Sequence, residues 1–293
     1  MRYASLLTIV SMLLLSACYQ GPEQQDALQR VRDAGVLTVA CANEAPYGYK
    51  DPETGRITGE APEIARVIAD RLGIERVELS ITEWGALING LNAGRYDCIG
   101  AGMYITPERA ESVLFTNPTY QIGEAFLVLE GNPKGLHGYQ DVRDKDDVKL
   151  GVVRGTVEVG YAEKLGIPDS RVVVFPDNTS AVDGVRTGQV DAFAGTALTV
   201  QDLLNKFGAE AGLERAEPFE NPVIDGKPAV GYGAFAFRHA DETLVAAFNA
   251  ELAGFIGSEE HLTLVEPFGF TEAQLPGDMT AQKVLAEQAA EAE

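Results

Sequence analysis

The stretch "GLNAGRYDCIGAG", residues 90–102, returns ninety-four positions later as "GVRTGQVDAFAGT", residues 184–196. Gly90, Leu91, Gly94 and Asp97 recur as Gly184, Val185, Gly188 and Asp191. In each copy a glycine closes a helix in a conformation that side chains resist. An apolar run then continues as a strand. Two copies of one helix-to-strand unit imply two similar lobes.

The flanking segments repeat the same rhythm. Before the first copy, "VLTVACA" (36–42) reads as a strand and "GEAPEIARVIADRLGI" (59–74) as an amphipathic helix with apolar positions three and four apart. "VELSITE" (77–83) is the next strand and "WGALINGLNAG" (84–94) the next helix. Around the second copy, "VKLGVV" (148–153) and "RVVVFPDN" (171–178) are strands, "TSAVDGVRTG" (179–188) is a helix, and "VDAFAGTALTVQDLL" (190–204) is a strand running into a helix. Alternation of this kind predicts an α/β fold of two lobes, each a mainly parallel sheet flanked by helices. "GEAFLVLEGNP" (123–133) and "GYGAFAFRH" (231–239) bracket the second lobe and are expected to form a two-strand hinge. The expected limits are 28–124 and 233–280 for lobe one and 125–232 for lobe two, with hinge segments near 122–128 and 228–235.

The chain opens with Arg2, an apolar run over residues 4–15 and "LSAC" ending at Cys18. That is the pattern of a secretory leader whose removal leaves a cysteine first, and the run is short for a membrane span. Residues 1–17 are expected to be a signal peptide of lipoprotein type, with Cys18 lipidated as a membrane anchor and residues 18–27 a tether. Without Arg2, 44 acidic side chains face 22 basic ones. Nucleic-acid binding, which rests on neutralising phosphates, is excluded on that balance. The end "VLAEQAAEAE" reads as part of an acidic tail over 281–293, helix-capable but free to fray. Cys41 and Cys98 fall on strands that would be neighbours in a parallel sheet, where a bridge is awkward, so buried thiols are expected. His137, His239 and His261 have no ligand spacing; neither a metal nor another cofactor is expected.

Loops beyond the C-terminal ends of parallel strands form the rim where ligands bind. In lobe one these loops carry Glu44 and Tyr47 in "NEAPYGY", Glu83 and Trp84, and Tyr104 and Arg109 in "YITPER". Trp and Tyr faces attract cations, and an arginine fork takes a carboxylate with two hydrogen bonds. A cage beside a fork suits a zwitterion. Each residue also has a plainer role open to it: Tyr47 packed on Pro46, Trp84 in the core, Arg109 paired with Glu108 or Glu111. The second rim offers Thr156 before a helix, where N–H groups can meet an anion, with Asn178 and Thr196 at analogous strand ends.

From about residue 28 to 279 the chain resembles the periplasmic solute-binding proteins of ABC importers, in the polar amino acid subgroup. The segments "GEAPEIARVIADRLG", "GLNAGRYDCIGAGMYITPERAESVLFTNPTY", "GEAFLVLEGNP" and "YGAFAFR" carry the likeness. It implies the type II periplasmic-binding-protein fold, a monomeric receptor outside the cytoplasm, and an ABC permease as partner. Within the subgroup the chain looks most like ectoine/hydroxyectoine-binding proteins. That nearer likeness implies a cage of Tyr47, Trp84 and Tyr104 around the ligand's delocalised cation, Arg109 and Thr156 on its carboxylate, and Glu44 on its ring N–H groups. Amino acid receptors of the group hold the α-ammonium with an acid near the end of the second sheet, where this chain has Thr196. The competing expectations are a receptor for proline, a betaine or a polar amino acid, and an enzyme resembling cyclohexadienyl dehydratase with Glu44 as general acid. No Ser/His/base set supports turnover.

Overall fold

The computed structural model describes residues 26–207, 211–224 and 226–290. The expected leader and the lipidation site Cys18 lie outside them. The expected tether ends inside them: Asp26 caps the first helix by accepting from the Gln29 N–H, and Ala27 is buried.

The strands in chain order are β1 (Val36–Cys41), β2 (Tyr49–Lys50), β3 (Ile57–Thr58), β4 (Arg76–Ile81), β5 (Cys98–Tyr104), β6 (Leu114–Phe115), β7 (Tyr120–Ile122), β8 (Glu124–Leu129), β9 (Leu150–Val153), β10 (Val172–Phe175), β11 (Ala192–Thr196), β12 (Leu213–Arg215), β13 (Val223–Ile224), β14 (Lys227–Pro228) and β15 (Gly231–Phe237). The helices are α1 (Ala27–Ala34), α2 (Glu60–Arg71), α3 (Leu87–Asn92), α4 (Pro107–Ala110), α5 (Tyr139–Asp144), α6 (Val157–Lys164), α7 (Asn178–Arg186), α8 (Ala197–Phe207), α9 (Glu242–Phe255), α10 (Glu259–Val265) and α11 (Ala281–Ala290). Lobe one is built on the sheet β4-β1-β5-β15-β6, with β7 also on β15; lobe two is built on β10-β9-β11-β8-β12. In each, three parallel strands meet an antiparallel fourth, β15 in one and β8 in the other.

The internal echo has a physical basis in both lobes. Gly94 and Gly188 each take φ +71°, ending α3 and α7 in the left-handed region. Asp97 then exchanges bonds with Thr38 at the start of β1, its N–H reaching the Thr38 carbonyl at 2.9 Å and its carboxylate accepting from the Thr38 N–H at 3.0 Å. Asp191 does the same with Lys149 before β9, at 2.9 and 2.8 Å. The repeated aspartate thus sets the register of the central parallel pair.

The strand hinge expected between the lobes is continuous with both sheets: β8 lies inside the second and β15 inside the first. The first crossing runs through Gly123 between β7 and β8, and its companion there is Asn221, whose side-chain oxygen accepts from the Glu124 N–H at 2.7 Å. The end read as helix-capable forms α11, which buries Val284 against lobe one; the Gln288 side chain donates to the Ile105 carbonyl at 3.4 Å. Val284 and Leu285 supply an apolar contact that the acidic composition conceals. Cys41 and Cys98 are buried free thiols, and burial pushes the Cys41 thiol up to about 12.

Candidate functional site

Lobe one supplies the site from three strand ends. After β1, Glu44 and Gly48 pair their backbones in a tight loop, at 3.0 and 2.9 Å. The loop turns Tyr47 inward, where its ring stacks on Tyr120 at 5.1 Å between centroids and meets Phe270 edge-on at 5.8 Å. After β4, Trp84 opens a single 3₁₀ turn. After β5, Thr106 caps α4 by accepting from the Arg109 N–H at 3.2 Å, and Pro107 occupies the first helical position. That cap aims Arg109 back across the end of β5.

Arg109 therefore meets three groups. Its Nη1 donates to the Tyr104 carbonyl at 3.0 Å, its Nη2 donates to the Gly155 carbonyl of lobe two at 3.1 Å, and its guanidinium lies 5.5 Å from the Trp84 ring centroid. The indole Nε1 donates to the same Gly155 carbonyl at 3.0 Å. None of the acid partners open to Arg109 in the sequence is used. Burial pulls its pKa down, and the carboxyl of Glu158 is the leading influence against that shift.

A second set of bonds joins the lobes on the other side of the cleft. Thr199 donates to the Glu44 carboxylate at 2.9 Å, and Thr196 donates to Thr199 at 2.9 Å, which leaves the Tyr47 hydroxyl to donate to Thr196 at 2.7 Å. This directed chain starts on lobe one, runs through lobe two and returns to lobe one. Burial pushes Glu44 up to about 7; bonds from Thr199 and Asn178 oppose the shift and the charge of Glu158 adds to it.

Seven of the eight residues expected at the site line one cleft: Glu44, Tyr47, Trp84, Tyr104, Arg109, Thr156 and Thr196. Asn178 starts α7 beside Glu44 and acts through it. Thr156 lines the cleft, but its hydroxyl and its N–H both donate to the Val153 carbonyl, at 2.9 and 3.3 Å. A larger depression on lobe one is shallow and open, and its Arg56 and Glu63 already pair at 2.9 Å.

Sequence reading missed Glu158, Glu124, Thr199 and the Gly155 carbonyl. Glu158 sits two residues beyond Thr156 in the first turn of α6 and lines the cleft, so an acid following "RGT" was its only visible signal. Glu124 opens β8 directly across from Thr196. The second lobe is therefore rich in acid near the end of its sheet, although Thr196 itself is not one. Among the described residues no His/Cys/Asp/Glu group could hold a metal ion.

Two α/β lobes closed over a cleft lined by aromatic rings, one arginine and opposed carboxyls define a receptor for a small polar solute. The chain belongs to the bacterial extracellular solute-binding proteins, family 3, whose profile matches residues 37–270. A relative from Sinorhizobium fredii (strain NBRC 101917 / NGR234), a probable amino-acid ABC transporter periplasmic-binding protein y4tE, is 36% identical over 271 residues, 92% of this chain and 87% of its own. The crystal structure of EhuB in complex with hydroxyectoine matches with TM-score 0.80 and 36% identity, covering 89% of this chain and 98% of that one. An ancestral arginine-binding protein bound to glutamine matches with TM-score 0.69 and 26% identity, covering 80% and 97%. The protein is thus an extracytoplasmic binding receptor and not an enzyme.

Proposed function

We propose that this receptor delivers ectoine or hydroxyectoine to the permease of an ABC importer and is tethered to the membrane by lipid on Cys18. The observation that carries the ligand is the convergence, in one cleft, of the Tyr47, Trp84 and Tyr104 rings with Arg109 and Glu44. The rings take a delocalised cation, the guanidinium takes a carboxylate, and Glu44 accepts ring N–H bonds. The likeness to the EhuB complex supports the same choice. Calorimetric titration of the refolded, ligand-free soluble domain with ectoine, hydroxyectoine, glycine betaine, proline, glutamine and arginine is the test. One-to-one heat with the ectoines alone is the expected result; silence from both, with heat from another solute, overturns the ligand and keeps the receptor.

A second reading has one observation in its favour. Glu158 gives lobe two an acid on the cleft wall, which a primary ammonium could use in place of the acid absent at Thr196. Glutamine or arginine heat in the same titration would select it.

Two further outcomes belong here. Trp84→Ala is expected to weaken ectoine binding at least about tenfold, since a desolvated cation–aromatic contact is worth roughly 2 kcal/mol and the indole also steadies Arg109. An unchanged dissociation constant would remove Trp84 from the cage. Because Glu44 is raised to about 7 in the empty site, a cationic ligand binds its ionised form and must displace a proton below that pH. Affinity should therefore rise as pH increases through about 7, and a flat profile there would mean Glu44 does not meet the ligand's charge.

A further inference from the structure

Thr196 closes β11, and Thr199 stands three positions on in the first turn of α8; they are 9% and 1% exposed. A hydroxyl offers one donor and two acceptor sites. Thr196 Oγ1 uses all three: it accepts from the Tyr47 hydroxyl at 2.7 Å and from the Thr199 N–H at 3.1 Å, and it donates to Thr199 Oγ1 at 2.9 Å. Although Thr196 lines the cleft, its hydroxyl has no bond left for a solute. With one lone pair of Thr199 Oγ1 filled from Thr196, the Thr199 proton points the other way, to Oε1 of Glu44 on the opposite lobe at 2.9 Å. Both threonines are rooted beside the first crossing. The Ala197 N–H donates to the Gly123 carbonyl at 2.9 Å, and Thr196 pairs with Glu124 across β11 and β8. Thr199 thus approaches Glu44 from the second lobe and loses it when the lobes part.

We propose that Thr199 is a positioning residue for Glu44: on closure its hydroxyl, oriented by Thr196, takes one carboxylate oxygen and leaves the other, Oε2, as the acceptor for the solute's N–H donors. The loop of Glu44 is fixed by backbone bonds with Gly48 at 3.0 and 2.9 Å, but those bonds leave the side-chain torsions of Glu44 free. The bond from Thr199 restrains them. A carboxylate held this way is a well-directed acceptor in the closed form and a loose one in the open form. A solute that bonds to it favours closure by that difference, so recognition and closing are joined through one hydroxyl. A quaternary betaine has no N–H to offer Oε2 and draws nothing from the arrangement. Tyr47, whose hydroxyl is spent on Thr196, presents its ring alone to the solute.

The part given to Glu44 rests on the ligand reading above, and the experiment keeps the two apart. Thr199→Val removes the hydroxyl at nearly constant volume, while Thr199→Ser keeps it. In calorimetry with ectoine, Thr199→Val should weaken binding about tenfold or more, the scale of a hydrogen bond to a charged acceptor. Thr199→Ser should recover to within about threefold of wild type. In a Glu44→Ala background, Thr199→Val should cost no more than about twofold further, because the group it acts through is gone. Wild-type affinity in Thr199→Val, equal loss in Val and Ser, or the full further loss in the Glu44→Ala background overturns the assignment. Urea unfolding establishes that each variant is folded, and Thr199→Ala, with the same expectation, replaces Val if Val does not fold. Wild-type protein that is silent to ectoine but binds glutamine would sink the ligand reading; the same comparisons made with glutamine would then decide the role of Thr199 on their own.

Discussion

Arg109→Ala is expected to weaken solute binding by at least about 100-fold, equivalent to roughly 3 kcal/mol or more. The guanidinium is 9% exposed and bonds to the Tyr104 and Gly155 carbonyls. Its removal leaves a ligand carboxylate buried without a cation and deletes one of the bonds between lobes. Arg109→Lys separates the two contributions. A lysine keeps the charge but lacks the planar fork needed to satisfy both carbonyls and a carboxylate, so it should fall between wild type and Ala. Calorimetry on folded protein is the measurement, and a dissociation constant near that of wild type in Arg109→Ala would mean that the fork serves closure alone.

The second large effect concerns stability. Glu60, the first residue of α2, is 1% exposed behind Tyr47 and Tyr120, and burial lifts its pKa from 4.5 to about 7 against a smaller opposing contribution from Thr119. Its folded-state pKa lies above the unfolded value, so stability is complete below about pH 4.5 and declines as pH rises through about 7. A shift of this size corresponds to about 3 kcal/mol. Glu60→Gln should remove the decline, making the variant more stable than wild type by up to about 3 kcal/mol at pH 8 and equal to it near pH 4. Urea unfolding at both pH values decides it; a difference independent of pH would show that ionisation of Glu60 is not its cause.

The lobes and their strand ends were legible because local chemistry repeats there. Gly94 with Asp97 and Gly188 with Asp191 do the same work twice, and hydropathy places the strands between them. The residues proposed for the cage and the fork were visible as residue types at strand ends, since Tyr47, Trp84, Tyr104 and Arg109 are unusual side chains for a loop. Their actual contacts were not. Arg109 looked as though it could pair with Glu108 or Glu111, yet it reaches a carbonyl 46 positions away. No residue type announces a carbonyl oxygen. Glu124 was hidden for a different reason: at the head of an apolar strand it reads as an edge residue, and only the place of β8 inside the second sheet buries it. The helix at the acidic end was legible but its docking was not, because composition outweighs two apolar side chains, Val284 and Leu285, whose partners lie far away in sequence.

The Gly155 carbonyl accepts from both Trp84 and Arg109, so one main-chain atom anchors the closed state on that side of the cleft. An atom of the backbone persists through substitution. Its two donors are side chains of the cleft itself, so exchanging Trp84 or Arg109 to admit another cargo would also loosen the closure.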